Sequence, residues 1–347
     1  MFKINAPFSY KDEVLPLIDS GAEELYCGYI SPAWVKKYTN LEFERKGGDS
    51  NFTDIKELKQ AVDSAHKRGV SVSLAINGLY VKSQYGLLLK TLRELEKVDL
   101  DAFIVADLGL LLTLKEMGFK KKLHISTGAT VFNSQAVDFY KKFGVKRIVL
   151  DRQTSLEEMR ILPEKAPDVD FEVFILNTLC VYIDGFCTFL HTYGGKKEGV
   201  IPVRNLKNKV ELDLNSMYDF RAAGDACGLR YRVKVFDALS GKVITRKSAP
   251  LPVFYKQLTD GMECGACALY DISRTGIKSV KIVGRQYSRE KRLGDLKFIR
   301  QASEIIRKNK EISRNDFMLQ VQGLYRKAFD YALPCKGNNC YYPQVLS

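Results

Sequence analysis

The sequence contains no hydrophobic run long enough to cross a membrane. Its longest apolar stretch, residues 102–114, is too short for a bilayer span and is interrupted by Asp107. The first seven residues include no extended apolar segment of the kind that marks a secretory signal. Both absences favour a soluble protein of the cytoplasm.

Several catalytic and binding signatures are missing as well. No G-x-G-x-x-G motif follows the first predicted strand, which disfavours a dinucleotide-binding sheet. Neither H-E-x-x-H nor G-x-S-x-G occurs, so no such motif supports a zinc or serine peptidase. The sequence has no paired aromatic motif of the kind that stacks RNA bases, and it has no internal repeat.

Acidic residues are fewer than basic ones. Lys and Arg number 54 against 41 Asp and Glu, which gives a formal net charge of +13. A surplus of this size favours an anionic partner, either RNA, a small carboxylate or phosphate ligand, or an acidic membrane surface. A solvated basic surface is the alternative. A homodimer and a heterodimer are both compatible with the sequence.

Eight short predicted strands alternate with predicted helices along the 347 residues, of which 46% are hydrophobic. Such alternation is typical of a parallel sheet, and eight units predict an α/β fold of the (β/α)8 TIM-like barrel type. An open doubly wound sheet is the alternative. The predicted strands are residues 2–7, 24–28, 70–77, 102–107, 122–126, 147–151, 171–176 and 279–283.

The predicted domain organisation follows from one long interval between strands seven and eight. Residues 1–177 form barrel strands one to seven, and residues 279–347 supply strand eight, C-terminal helices and a tail. The interval 178–278 carries five of the eight cysteines and is predicted to be an inserted, cysteine-rich subdomain. One predicted helix, 156–162, is expected to stop at Pro163, because proline cannot donate a backbone hydrogen bond.

The cysteines predict a metal centre, because disulfides are rare in the cytosol. Thiolates suit either zinc or a [4Fe–4S] cluster. Structural zinc usually uses two tight cysteine pairs, and only Cys264 and Cys267 form one here, which favours the cluster. Cys264 and Cys267 compete for the same position, and scattered buried thiols are the alternative reading. The four predicted sites are Cys180, Cys187, Cys227 and one of the pair Cys264 and Cys267.

Polar residues at the carboxyl ends of the predicted strands are the catalytic candidates, because barrel enzymes work at that end. His124 is the candidate acid–base group, although a lone strand histidine is often a core residue. Asp151 ends strand six. Arg152 and Arg285 could fix a carboxylate or phosphate, or they could form salt bridges at the rim.

Short motifs spread over most of the chain match a known family. They lie at residues 6–7, 21–28, 51–52, 65–70, 107–109, 124–127, 179–187 and 281–285. With them the chain resembles the collagenase-like peptidase family U-32. The resemblance implies a (β/α)8 barrel with a [4Fe–4S] cluster on four cysteines. It assigns these ligands to Cys180, Cys187, Cys227 and Cys267.

The same resemblance implies an enzyme that supports oxygen-independent hydroxylation of tRNA or rRNA bases or of ubiquinone precursors, in some members with prephenate as the oxygen source. The interval from Cys187 to Cys227 is longer than in those members, and the large C-terminal domain of the RNA-modifying members is absent, so a small aromatic substrate is an alternative. Two further alternative functions are a peptidase and a non-catalytic RNA-binding protein with structural metal. The roles of Cys27, Cys335 and Cys340 are left open.

Overall fold

The computed structural model describes residues 1–38, 50–178, 180, 183–186, 263–329 and 340–346, together with the backbone of two short strands. The chain divides into two compact units. One combines Met1–Cys187 with Gly261–Ser347, and the other is Thr188–Asp260. The predicted insertion, 178–278, contains the second unit. Strands β8 (Val235–Phe236) and β9 (Val243–Thr245) pair antiparallel within that unit.

The first unit contains a closed barrel of eight parallel strands, in the order β1–β10–β7–β6–β5–β4–β3–β2. All eight predicted strands are confirmed, and closure of the sheet makes the doubly wound alternative wrong. The strands are β1 Lys3–Pro7, β2 Glu24–Gly28, β3 Ser71–Ile76, β4 Ala102–Val105, β5 Lys122–Ile125, β6 Arg147–Val149, β7 Asp170–Leu176 and β10 Ser279–Ile282.

Helices follow the barrel strands, and several of them begin at side-chain caps. Asp54, Asp107 and Ser155 each accept a hydrogen bond from a first-turn N–H group, which stabilises a helix by about 1 kcal/mol. The helices of the described residues are α1 Val14–Asp19, α2 Pro32–Lys37, α3 Ile55–His66, α4 Tyr85–Leu95, α5 Leu108–Glu116, α6 Ser134–Lys141, α7 Leu156–Lys165, α8 Leu269–Ile272, α9 Arg289–Lys308 and α10 Arg314–Phe329.

The predicted end of α7 is wrong, because the helix continues through Pro163 to Lys165. Proline in the last turn forfeits only one helical hydrogen bond, the one to the carbonyl of Met159. Its ring also packs closely against Gly276, where an added Cβ would lie 2.4 Å from the Cβ of Pro163.

The core lies between the barrel and its surrounding helices. On β3, Val72, Leu74 and Ile76 point outward and are fully buried beneath the helices, whereas Ser73 and Ala75 point into the barrel. Full burial of a leucine-sized side chain contributes about 1.5–3 kcal/mol. Among the helices that the structure describes, none has the length and apolar character needed to cross a membrane.

Candidate functional site

A charged network occupies the lower part of the barrel lumen. From β6, Arg147 reaches across to Glu24 on β2, with N–O distances of 2.6 and 2.9 Å. The same guanidinium lies 3.2 Å from Glu172 on β7, and Lys281 on β10 lies 2.7 Å from the other oxygen of Glu172. Two cations therefore balance two carboxylates, so that the floor of the lumen is close to neutral.

The protonation states of this network are fixed by its own charges. Burial alone would raise the pKa of Glu172, but Lys281 and Arg147 more than offset this and hold the pKa at about 2. Asn5 donates a further hydrogen bond of 2.8 Å to Glu172. The carboxylate stays ionised at physiological pH, so that it acts as an anchor for its neighbours rather than as a proton donor.

His124 faces the lumen beside this network. It lies opposite Arg147 in the β5–β6 register, so both side chains point into the barrel. Its imidazole is buried, and within the described residues neither ring nitrogen has a hydrogen-bond partner. Burial, with the nearby Arg147 charge, lowers the pKa of His124 to about 3. The ring is therefore neutral near pH 7 and offers one donor and one acceptor.

Arg152 lies at the mouth of the barrel, one residue beyond Asp151. Its Nε donates to the carbonyl of Thr178 at 2.9 Å, its Nη1 pairs with Asp184, and its guanidinium lies 4.1 Å from the ring centre of Phe174. The side chain is almost completely buried. Arg152, which follows β6, thus holds the segment that follows β7 in place through Thr178 and Asp184.

The segment that carries Cys180 has a strained backbone. Asn177 and Thr178 both have positive φ, 66° and 53°, which is unfavourable for a β-branched residue such as threonine. The Nε2 of Gln153 donates to the carbonyl of Cys180 at 3.1 Å, and Cys180 itself is buried. Strain of this kind persists only where neighbours hold it, and Arg152 and Gln153 do so here.

Cys264 and Cys340 lie next to each other beside the end of β7. Cys264 pairs antiparallel with Leu176 and parallel with Cys340, and both thiols are buried. The sulfur of Cys264 accepts a hydrogen bond from the N–H of Ala266 at 3.3 Å. Beyond Cys264 the chain runs back along β7, where the N–H of Gly265 donates to the carbonyl of Ile175 at 2.7 Å. Cys264 is therefore placed beside the end of the strand that leads to Cys180.

The predicted cluster ligands are only partly covered by the structure. Cys187 and Cys227 lie outside the described residues, and within those residues no three His, Cys, Asp or Glu side chains converge as metal ligands. The four-cysteine set stays a prediction. The residues present do fit a thiolate-bound group, because Cys180 interacts with the Arg152 charge and Cys264 receives a backbone N–H.

The other two catalytic candidates follow β6 and β10, the two strands that flank β7 in the barrel. Asp151 is buried, accepts a hydrogen bond from the N–H of Gln153, and has a pKa raised mainly by burial. Arg285 donates to Asn51 Oδ1 at 2.9 Å. Gly28 permits this contact, since an added Cβ there would lie 1.9 Å from both Arg285 Nη1 and Asn51 Oδ1.

Sequence reasoning missed the charged network in the lumen, although a signal for it was present. Glu24, Arg147, Glu172 and Lys281 each belong to a predicted strand that is mostly apolar. Charged residues are almost never fully buried without a partner. Four such residues on four strands therefore indicate mutual pairing inside the barrel.

The fold and the site together define a (β/α)8 barrel with a polar lumen and a mouth that carries thiols. The family model of peptidase family U32 matches residues 11–200, more than half of the chain. The chain belongs to this family, and that part of the predicted resemblance is confirmed.

Curated relatives of this chain carry different names. It is 28% identical to tRNA hydroxylation protein P of Haemophilus influenzae over 178 residues. This matched region covers 51% of this chain and 36% of the relative. It is also 23% identical to a collagenase of Porphyromonas gingivalis over 238 residues. That matched region covers 62% of this chain and 54% of the relative. The chain therefore spans only about a third to a half of these proteins.

A solved structure of a U32 peptidase is also similar. The two share 16% identity with a TM-score of 0.40, over 51% of this chain and 69% of the other.

Proposed function

We propose that this protein is an iron–sulfur enzyme that hydroxylates a base of tRNA without using molecular oxygen. The observation that carries the proposal is the position of Cys180 and Cys264, on two backbone segments that meet at the end of β7. Thiol ligands there would lie at the mouth of the barrel, where barrel enzymes react. The names of relatives such as tRNA hydroxylation protein P support tRNA as the substrate.

Hydroxylation of a base replaces a C–H bond by a C–OH bond, which is a two-electron oxidation. Written with water as the oxygen source, it is R–H + H2O → R–OH + 2H⁺ + 2e⁻. An external one-electron acceptor, such as a ferredoxin or a flavoprotein, must take the electrons in turn. When bound, a [4Fe–4S] cluster supplies one-electron chemistry beside the substrate. Cys180 and Cys264, together with Cys187 and Cys227, would hold it.

Residues of the chain itself would bind the substrate, position Cys180 and accept a proton. The net charge of +13 favours contact with the phosphates of an RNA substrate. Arg152 and Arg285 are buried at the mouth and held by Asp184 and Asn51, so their role is to order the mouth. Arg152 also positions Cys180 through Thr178 and Asp184. Asp151 is the group at the mouth that can take up a proton released from the base, because burial raises its pKa.

The test is mass spectrometry of tRNA nucleosides from cells grown without oxygen, with the gene deleted and then restored. Deletion is expected to remove a nucleoside that carries one added oxygen atom. Wild-type protein restores it, and Cys180→Ala lowers it by about tenfold or more. Unchanged nucleosides together with a changed aromatic metabolite would contradict the tRNA assignment. Peptide cleavage by iron-free protein would contradict the proposal as a whole.

A further inference from the structure

We infer that Tyr341, from the C-terminal tail, is a positioning residue for Cys180. The inference rests on the proposed function for the task of Cys180 as a thiol ligand, and it extends that function by identifying what holds this thiol at the mouth. Asn177 and Thr178, which join β7 to Cys180, both have positive φ. Two consecutive residues of this kind are costly unless they are glycine, so the turn persists only where distant side chains hold it.

The backbone polar groups of this turn are held by residues that are distant in the sequence. The N–H of Asn177 donates to the carbonyl of Glu263 at 2.9 Å, and the N–H of Thr178 donates to the carboxylate of Glu263. The carbonyl of Thr178 accepts a hydrogen bond from Arg152, and the carbonyl of Asn177 accepts one from the hydroxyl of Tyr341. Tyr341 therefore completes the set of bonds that fixes the turn.

The hydroxyl of Tyr341 also bonds to Arg152. The guanidinium donates to the phenol oxygen, while the hydroxyl itself donates to the carbonyl of Asn177. Burial raises the pKa of Tyr341, so the hydroxyl keeps its proton and stays a donor near pH 7. Arg152 interacts electrostatically with the thiol of Cys180. Tyr341 is thus connected to Cys180 both through the backbone of the turn and through Arg152.

The tail packs closely enough to place this hydroxyl. The N–H of Tyr341 donates to the carbonyl of Cys264 at 3.1 Å, beside the bridge between Cys264 and Cys340. Gly265 permits the approach, since an added Cβ there would lie 2.9 Å from the ring of Tyr342 and 3.1 Å from the Cβ of Tyr341. Tyr341 and Tyr342 are only 4% and 1% exposed. The tail is therefore a built part of the mouth.

Tyr341→Phe tests the inference, because it removes the hydroxyl and keeps the ring. In the iron-free full chain without denaturant, iodoacetamide is expected to alkylate Cys180 about tenfold faster than in wild type, since a buried carbonyl that has lost its donor makes the turn easier to open. Mass spectrometry follows each cysteine separately. Cys27, which is completely buried on β2, should react no faster than in wild type. A general loss of stability would raise both rates and would contradict the inference.

Tyr342→Phe is the matched control. The hydroxyl of Tyr342 donates to the carbonyl of Phe174 within β7 at 2.5 Å, so this variant also loses one buried hydrogen bond but keeps those of the turn. Urea unfolding should show similar decreases in stability for the two variants, and only Tyr341→Phe should expose Cys180 to faster alkylation. Equal rates at Cys180 in the two variants would refute the inference.

The iron-loaded chain separates this inference from the proposed function. Tyr341→Phe should release iron to a chelator about tenfold faster than wild type, whereas Tyr342→Phe should release it at the wild-type rate. A wild-type chain that binds no iron, with the difference in alkylation intact, would uphold the role of Tyr341 and refute the proposed function. Iron bound by the wild type, with no difference in alkylation, would uphold the function and refute the role of Tyr341.

Discussion

Replacement of Arg147 by methionine is expected to lower the free energy of unfolding by about 3–5 kcal/mol, because the change leaves buried charge without a partner. Arg147 forms two hydrogen bonds to Glu24 and one to Glu172, all inside the barrel. Methionine keeps most of the side-chain volume, so the decrease in unfolding free energy reflects the lost charge rather than lost packing. Urea unfolding at pH 7 measures this decrease.

The loss of unfolding free energy in Arg147→Met should also depend on pH. In the wild-type protein the folded pKa of Glu172 is about 2, below its ordinary value of 4.5. Its ion pairs therefore contribute stability that is complete above pH 4.5 and is lost as pH falls towards 2. Without Arg147 the folded pKa of Glu172 rises, and part of this contribution disappears. The difference between variant and wild type should therefore shrink in acid.

Arg160→Met provides the control for this experiment. Arg160 forms an exposed pair with Glu164 on α7, and exposed pairs contribute at most about 1 kcal/mol. A loss at Arg147 no larger than the loss at Arg160 would show that the lumen network is not a buried charge cluster.

Replacement of Cys180 by alanine is expected to abolish iron binding. Anaerobically prepared wild-type protein should contain about four irons per chain, and the variant less than about one, because a cluster held by three thiolates is readily lost. Cys264→Ala should behave in the same way. Cys267→Ala should retain iron, because Cys264 is the member of this pair that is bridged to Leu176 at the end of β7.

The control for the thiol series is Cys27→Ala. Cys27 is completely buried on β2 and is a core residue of the barrel. This variant should keep its iron and its broad absorption band. Full iron in Cys180→Ala, or loss of iron in Cys27→Ala alone, would contradict the assignment of the centre to the mouth.

The architecture could be predicted from the sequence because each strand is a short apolar run followed by helical spacing. Position 163 shows where prediction from neighbouring residues fails. The helix continues through Pro163 to Lys165, and Pro163 lies close to Gly276, which is distant in the sequence. The strand ends were correctly located. Asp151, Arg152 and Arg285 therefore follow the ends of β6 and β10, while their catalytic roles stay predictions.

The arrangement of the lumen could not be predicted, because it depends on pairings between distant strands. Arg147 and Glu24 are 123 positions apart, and only the barrel register brings them together. The adjacency of Cys264 and Cys340 depends in the same way on the return of the C-terminal tail to β7. The role of His124 stays a prediction; its low pKa follows mainly from burial and then from Arg147, and the sequence does not reveal that these two residues lie side by side.

The central claim is that thiols at the end of β7 hold an iron–sulfur cluster at the mouth of the barrel. Anomalous diffraction at the iron edge, from crystals of the full chain grown without oxygen, tests it most directly. The account predicts one compact four-iron peak bonded to Cys180 and Cys264, over the open end of the barrel. A crystal without iron, or a peak away from Cys180, would contradict it.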